Sequence, residues 1–358
     1  MPINLQEIQE TITRLGLRWQ AAETIHVGQS EIQALARLGA TPPEGVTLAD
    51  REEQARQLLR PLGPLPAGAP PAWDWRNVGG VNYVTPIEDQ GGCGSCVAFG
   101  TIATFEAQVQ IALHGPNLGV DLSEAHLWFC YGPSHGAGAC PHGGWWPDSS
   151  FPGLIPGIVP ATCFEYTDQN QPCNLCPTWN TQLTSISSWQ TLSNQEAMKT
   201  FIAQTGPMTA CFTVYEDFYY YYTGGVYEYN PQTSGNVIGG HCVCIVGYSD
   251  AGQYWIAKNS WGPNWGESGY FRIGYGNCGI DSEMWGINGT VASEVWHFPI
   301  HILPIRPIGP IHPEPIRPID PIRPIEPIDP GPLTDAAAQE THDPDAPQVG
   351  DGPPNVDI

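Results

Sequence analysis

Apolar residues recur at three- and four-residue intervals through the first sixty positions. Ile8, Ile12 and Leu15 mark one helical face, and Gly16 follows as a stop signal. Ile32, Leu35 and Leu38 repeat that spacing before Gly39. Thr47 is placed to cap a third helix running through Asp50, Glu52 and Glu53 to Leu59, with acids where the helix dipole favours them. Pro61, Pro64, Pro66, Pro70 and Pro71 then punctuate a linker.

The middle of the chain, about 72 to 292, holds nearly all the tryptophan, tyrosine and cysteine. Val97 to Leu113 is a helix candidate that begins at Cys96. Met208 to Val214, His241 to Tyr248, Tyr254 to Lys258 and Gly269 to Ile273 are alternating or β-branched runs and predict strands. Helices first and strands afterwards predict an α+β domain with two packed lobes. From about 299 the pattern changes again, to a near-regular Pro-Ile-x repeat that continues to Pro332. Proline at every third residue matches the three-residue turn of polyproline II. It predicts a stiff stalk followed by an acidic, disordered end. That stalk serves either as a passive spacer, or as a ligand for aromatic-lined grooves or an anchor to a surface.

The charge narrows the possible partners. Among 358 residues there are 13 Lys+Arg against 36 Asp+Glu, a net charge of -23. A basic patch for nucleic acid is missing, and an anionic membrane surface is equally disfavoured. No run is long and apolar enough to span a membrane. The first residues, Met1-Pro2-Ile3-Asn4-Leu5-Gln6-Glu7, lack the basic and apolar regions of a secretory signal. The 11 cysteines nevertheless suggest an oxidising compartment, so the location stays open. An odd count fits bridges plus at least one free thiol.

Gln90-Gly91-Gly92-Cys93-Gly94-Ser95-Cys96 carries the candidate chemistry. A thiol needs help to ionise, and a helix N-terminus and a nearby imidazole both favour the thiolate. Cys96 stands where a glycine-rich loop turns into a helix. His241 lies 145 residues further on and Asn259 lies 163 further on. An amide at Asn259 can orient the imidazole without adding charge. Gln90 and the Cys96 backbone N–H can together meet a developing oxyanion. Trp261 would shield the His241–Asn259 contact from water.

These residues resemble a papain-family cysteine peptidase. Four of the five positions of the family's C-G-[SA]-C-[WY] signature match, with Val97 in place of the aromatic. Asp74-Trp75-Arg76 resembles the usual mature start. Leu122-Ser123-Glu124 before Cys130, Gly206-Pro207-Met208 through Glu216-Asp217-Phe218, and Tyr254 through Gly262 with Trp265 through Tyr270 resemble further family stretches in the family's order. The second half is most similar to cathepsin B, through Phe212 to Phe218, Gly224 to Tyr227 and Cys278 to Glu283.

The resemblance implies a two-lobed fold, one lobe helical and one an antiparallel β-barrel-like structure, with the cleft between. It implies Cys96 as nucleophile, His241 as base, Asn259 as orienter and Gln90 as oxyanion donor, with no cofactor and no metal. Gly143 and Gly144 would offer backbone to an extended substrate, although Cys140-Pro141-His142-Gly143-Gly144 has one residue more than the family's pattern. Glu283 matches the acid at the floor of the S2 pocket, which implies acceptance of Arg as well as apolar residues at P2. No counterpart of cathepsin B's His-His occluding pair is found, which favours an endopeptidase. The resemblance pairs Cys93 with Cys140, and Cys130 with Cys163, Cys173 or Cys176. Cys173-Asn174-Leu175-Cys176 is also a C-x-x-C that zinc could use with Cys163. Cys211, Cys242, Cys244 and Cys278 have no evident partners.

The expected organisation is therefore a helical pro-region or lid over 1–70, a papain-like catalytic domain over 71–292, and the repeat and acidic tail over 293–358. The expected product is a monomeric cysteine endopeptidase made as a zymogen, acting on peptides or proteins. Trp19 is a candidate plug for the cleft. Only Arg76, Lys199, Lys258 and Arg272 are basic within 72–292, so basic peptides would be drawn in. The alternatives are a catalytically weak peptide-binding protein, and an N-terminal extension packed away from the site.

Overall fold

The computed structural model describes residues 3–59, 69–141, 143–289, 291–293 and 295. The Pro-Ile repeat, the acidic end, His142 and Pro61, Pro64 and Pro66 lie outside the described residues.

Each N-terminal helix begins on a side-chain cap. Asn4 accepts the Gln6 N–H at the start of α1 (Leu5–Leu15), and Gly16 closes it in the left-handed region at φ 65°. Ser30 and Gln33 form a capping box on α2 (Glu31–Leu35), and Thr47 and Asp50 form another on α3 (Leu48–Leu58). Between the first two helices lies β1 (Trp19–Ala21), which adds antiparallel to the edge of the main sheet. The expected apolar face of α2 is corrected. Ile32 is 79% exposed and Leu35 is 48% exposed, while Ala34 and Leu38 are buried. The helix gives way to tight turns after five residues, with Arg37 N donating to the Ala34 carbonyl and Leu38 N to the Leu35 carbonyl, before the chain enters the cleft at Gly39.

Beyond β2 (Ala72–Asp74), the long helix α4 (Cys96–Ala112) is buried almost all round. Its apolar side chains meet Leu127, Trp128, Trp145, Trp146, Phe151 and Leu154, forming the core of one lobe. The other face packs on the sheet, with Thr104 bonded to Thr209 at 2.8 Å. Three disulfides staple this irregular lobe: Cys93–Cys140, Cys130–Cys173 and Cys163–Cys176. Loops of this length stabilise by about 3 to 4 kcal/mol each in the chain-entropy model. The two cysteines of the C-x-x-C thus enter different bridges, which leaves no thiolate there for zinc. Cys96, Cys211, Cys242, Cys244 and Cys278 remain free and buried.

The second lobe is built on a sheet. The remaining helices and strands of the chain are α5 (Pro147–Ser150), β3 (Thr184–Ile186), β4 (Trp189–Leu192), α6 (Gln195–Gln204), β5 (Met208–Tyr215), α7 (Glu216–Tyr221), β6 (Tyr222–Tyr227), β7 (Val237–Ser249), β8 (Tyr254–Lys258), β9 (Tyr270–Gly274), β10 (Met284–Ile287) and β11 (Val291–Ser293). The order is β1-β6-β9-β8-β7-β5-β10-β4, with β2 also on β7 and a separate β11–β3 pair. The β-barrel-like antiparallel expectation needs two corrections: the described sheet does not close, and β6 pairs parallel with β9. Its core is aromatic, with Phe218 at 5.0 Å from Phe271 and 5.1 Å from Trp265 between ring centroids. No helix among the described residues is long and apolar enough to cross a membrane.

This sheet positions two of the expected site residues. β7 starts at Val237, four residues before the expected start, and carries His241 opposite Phe212 of β5. β8 pairs with β7 and ends at Lys258, so Asn259 emerges beside His241.

Candidate active site

Cys96 is the first residue of α4, where unpaired backbone N–H groups and the helix dipole favour a negative sulfur. Its thiol is fully buried, and Gly39 N donates to Cys96 Sγ over 3.3 Å. Burial, with lesser contributions from neighbouring groups, pushes the Cys96 thiol up to about 12. Burial likewise lowers His241 to about 3, against a smaller opposing contribution from Asn259. Both groups are therefore neutral in this closed form.

The hydrogen bonds define the histidine tautomer. Ser260 N donates to Asn259 Oδ1 at 2.8 Å, which identifies that atom as the oxygen. His241 Nε2 lies 2.7 Å from the same oxygen and so must carry the proton. Nδ1 is then an unprotonated, buried acceptor with no hydrogen-bond partner. It is the atom free to take a thiol proton. The Trp261 ring lies over the His241 ring at 4.5 Å and 30°, and Trp261 is fully buried, so water cannot reach the His241–Asn259 bond from that side.

Gln90 is held at both ends of its amide. Ser260 Oγ donates to Gln90 Oε1 at 2.7 Å. Gln90 Nε2 donates to the Cys93 carbonyl at 2.8 Å and to the Arg37 carbonyl at 2.9 Å. A carbonyl oxygen of the N-terminal segment thus sits where the amide N–H points.

That segment runs through the cleft in an extended form. Gly144 N donates to the Gly39 carbonyl at 3.1 Å, Ala40 N donates to the Gly240 carbonyl at 3.1 Å, and Thr41 N donates to the Trp145 carbonyl at 3.2 Å. Glycine is required on both sides of the contact. A Cβ on Gly39 would lie 1.7 Å from the Gly94 oxygen, and one on Gly143 would lie 2.0 Å from the Gly39 Cα. At one end Arg37 pairs with Asp89 at 3.1 Å. At the other, Arg51 of α3 pairs with Glu283 at 2.8 Å, under the Trp146 indole that also donates to Glu283 at 2.9 Å. Burial raises Glu283 above the usual carboxylate range, and the Trp146 and Arg51 contacts only partly offset it.

Cys96, His241, Asn259, Gln90 and Trp261 form one cluster, Gly143 and Gly144 flank it, and Glu283 lies at the far end of the segment's path. Trp19 is not in the cleft. It is buried within β1 against Tyr222 and Tyr227, because pairing with β6 carries it into the sheet core. Five further residues take part that the sequence pattern does not single out: Arg37, Gly39 and Arg51 on the occupying segment, and Asp89 and Ser260 on the cleft. Of these, Ser260 stands in the Lys258-Asn259-Ser260-Trp261-Gly262 run, and Gly39 reads from the sequence only as a helix stop.

A thiol at a helix N-terminus, an imidazole with a free Nδ1 and a fixed amide donor are the kinds of group that acyl transfer through a thioester uses. The comparisons agree. Residues 69–287 match the model of the papain family of cysteine proteases. Cathepsin B-like CP1 of Giardia intestinalis is 33% identical over 267 residues, covering 70% of this chain and 80% of its own length. A gut-specific cysteine proteinase of Caenorhabditis elegans is 31% identical over 323 residues, covering 79% and 93%. Among solved structures, digestive procathepsin L 3 from the Tenebrio molitor larval midgut superposes with a TM-score of 0.60 at 26% identity, covering 79% of this chain and 87% of that one. The chain belongs to the papain family of cysteine proteases.

Proposed function

We propose that this cysteine protease is an endopeptidase, and that residues 1–70 are its inhibitory pro-region. One observation supports both: a continuous polypeptide occupies the cleft from the Arg37–Asp89 pair, across Cys96, to the Arg51–Glu283 pair. A cleft that accommodates a chain entering at one end and leaving at the other is suited to internal bonds. The occupying chain is not a substrate, because it presents an N–H rather than a carbonyl carbon to the sulfur.

With the segment displaced, His241 Nδ1 takes the Cys96 proton and the thiolate attacks the peptide carbonyl. Gln90 Nε2 and the Cys96 N–H receive the oxyanion. His241 returns the proton to the leaving amine, and water then hydrolyses the thioester. Gly143 and Gly144 bind the acyl half in extended form. Glu283 accepts an arginine at P2, and Arg51 is the model for that side chain. Replacing Glu283 by Gln should lower the Arg-to-Phe preference at P2 severalfold, since a charge-assisted bond becomes a neutral one. An unchanged ratio would remove Glu283 from the pocket.

The test of the reading is an internally quenched peptide with both termini blocked, together with an epoxysuccinyl inhibitor mapped by mass spectrometry. Cleavage of the blocked peptide and a single adduct on Cys96, stronger after the N-terminal segment is removed, are expected. Release of dipeptides alone would make the enzyme an exopeptidase. No adduct in a folded, reduced and processed sample would favour a peptide-binding role instead.

A further inference from the structure

The proteolytic reading leaves one ion pair without a role in the enzyme once its segment is gone. Asp89 immediately precedes Gln90, and its backbone bridges that of Trp261. Its carboxylate is held in place: Oδ1 accepts the Gly91 N–H at 2.9 Å, and a Cβ on Gly262 would lie 3.2 Å from Oδ2. In the closed form its cationic partner is Arg37, whose side chain is 14% exposed while that of Asp89 is 49% exposed. A second carboxylate feels the same guanidinium at longer range. Asp168, anchored by the Gly92 N–H at 3.0 Å and by Gln169, also lies in the field of Arg37.

No lysine or arginine among the described residues of the catalytic domain takes Arg37's place. Arg76 is on Asp74, Lys199 on Asp250, Arg272 on Glu267, and Lys258 donates to Thr85. Displacing the segment therefore leaves a positioned carboxylate at the cleft without a counter-ion. Its side of the cleft follows from the chemistry. His241 protonates the leaving amine, Trp261 covers His241, and Asp89 adjoins Trp261, whereas Glu283 lies beyond Cys96 in the other direction.

We propose that Asp89 is a specificity residue for the leaving half of the substrate, so that the preferred substrates are polypeptides with arginine or lysine at the first or second position after the scissile bond. The inference rests on the endopeptidase reading and extends it to a substrate class: chains with basic residues on both sides of the cleavage point. The Arg37 guanidinium stands in for the substrate's basic side chain. Because the carboxylate is half exposed, the preference is moderate, about fivefold.

The test uses the full chain, activated by limited proteolysis in acid and normalised by titration with an epoxysuccinyl inhibitor. Quenched peptides share one acyl half and carry Arg, Gln or Glu at the first or second leaving-side position. The wild type should prefer Arg over Gln about fivefold at one of them, and 0.5 M salt should reduce that ratio by screening. Asp89→Asn should bring the ratio near one, and Asp89→Lys should shift it towards Glu. Each ratio is internal to one enzyme, so a loss of overall activity does not affect it. If the wild-type ratio is near one, or is indifferent to salt and to Asp89→Asn, the proposal is overturned while the protease stands. Absence of any titratable thiol would overturn both.

Discussion

Ser260 Oγ donates to Gln90 Oε1 across 2.7 Å, and together with the Nε2 bond to the Cys93 carbonyl it fixes which end of the amide faces the cleft. Without it the amide is held at its N–H end alone. Loss of one oxyanion donor costs about 100-fold or more in kcat. Gln90→Ala should show that loss. Ser260→Ala should show a smaller one, about tenfold, with KM little changed, because the donor survives but is held at one end only. Equal loss of kcat and gain of KM would mean that Ser260 serves general packing.

The Cys96 thiol should titrate differently in the two forms. In the intact chain burial holds it near 12 and holds His241 near 3, so neither ionises at neutral pH. Removing the segment exposes both to water, lowering the first value and raising the second, and the thiolate–imidazolium pair becomes accessible between them. Alkylation by iodoacetamide should be negligible in the intact chain at pH 7 and rapid in the processed one. Equal rates at pH 7 would contradict the inhibitory role of residues 1–70.

Gly39 is the tightest point of that inhibition. An added Cβ would overlap the Gly94 carbonyl, which must then move or release the segment. Overpacking of this kind costs 1–3 kcal/mol, so Gly39→Ala should raise inhibitor labelling of the intact chain by about tenfold. Arg51→Ala should act in the same direction by leaving Glu283 unpaired. Unaltered labelling in both variants would place the latency elsewhere, for example in the β1–β6 pairing.

Stability should fall as pH rises above about 6.5. Burial raises Glu106 to about 7, Asp217 to about 6 and Glu124 well above its ordinary value. The folded state then holds protons that the unfolded chain has lost, so these groups make stability fall as pH rises through that range. Burial lowers His26 to about 3, His126 to about 4 and His241 to about 3. The unfolded chain takes up those protons first, so the histidines make stability fall as pH drops below 6.5. Burial also raises Glu88, Asp121, Asp281 and Glu283, so the two sets oppose each other below pH 6.5 and only the carboxylates act above it. Thermal denaturation across pH 4 to 8 reads the curve, and Glu106→Gln should flatten its alkaline side. A Tm that climbs steadily to pH 8 would refute the balance.

Much of this protein was legible along the chain. The proposed nucleophile, base, orienting amide and oxyanion donor stand in short runs whose order and composition carry their chemistry. The helix cap at Thr47 is equally local, because a cap acts within three residues. The early start of β7 was not visible, since Gly239 and Gly240 lack strand propensity. Their value is tertiary: a Cβ on Gly240 would lie 2.1 Å from the Ala40 carbonyl, so only glycine admits the neighbouring backbone.

What the sequence determined by itself was the reaction class and the family, since both follow from residue types at fixed local spacing. What only the tertiary structure decided was pairing over distance. Cys130 meets Cys173 rather than Cys163 or Cys176, Trp19 enters the sheet rather than the cleft, Arg37 and Arg51 find Asp89 and Glu283, and Gly39 reaches Cys96. These contacts depend on where the N-terminal segment and the two lobes converge. No periodicity encodes that, because a side chain's partner is set by the packing of whole elements and not by its neighbours in the chain.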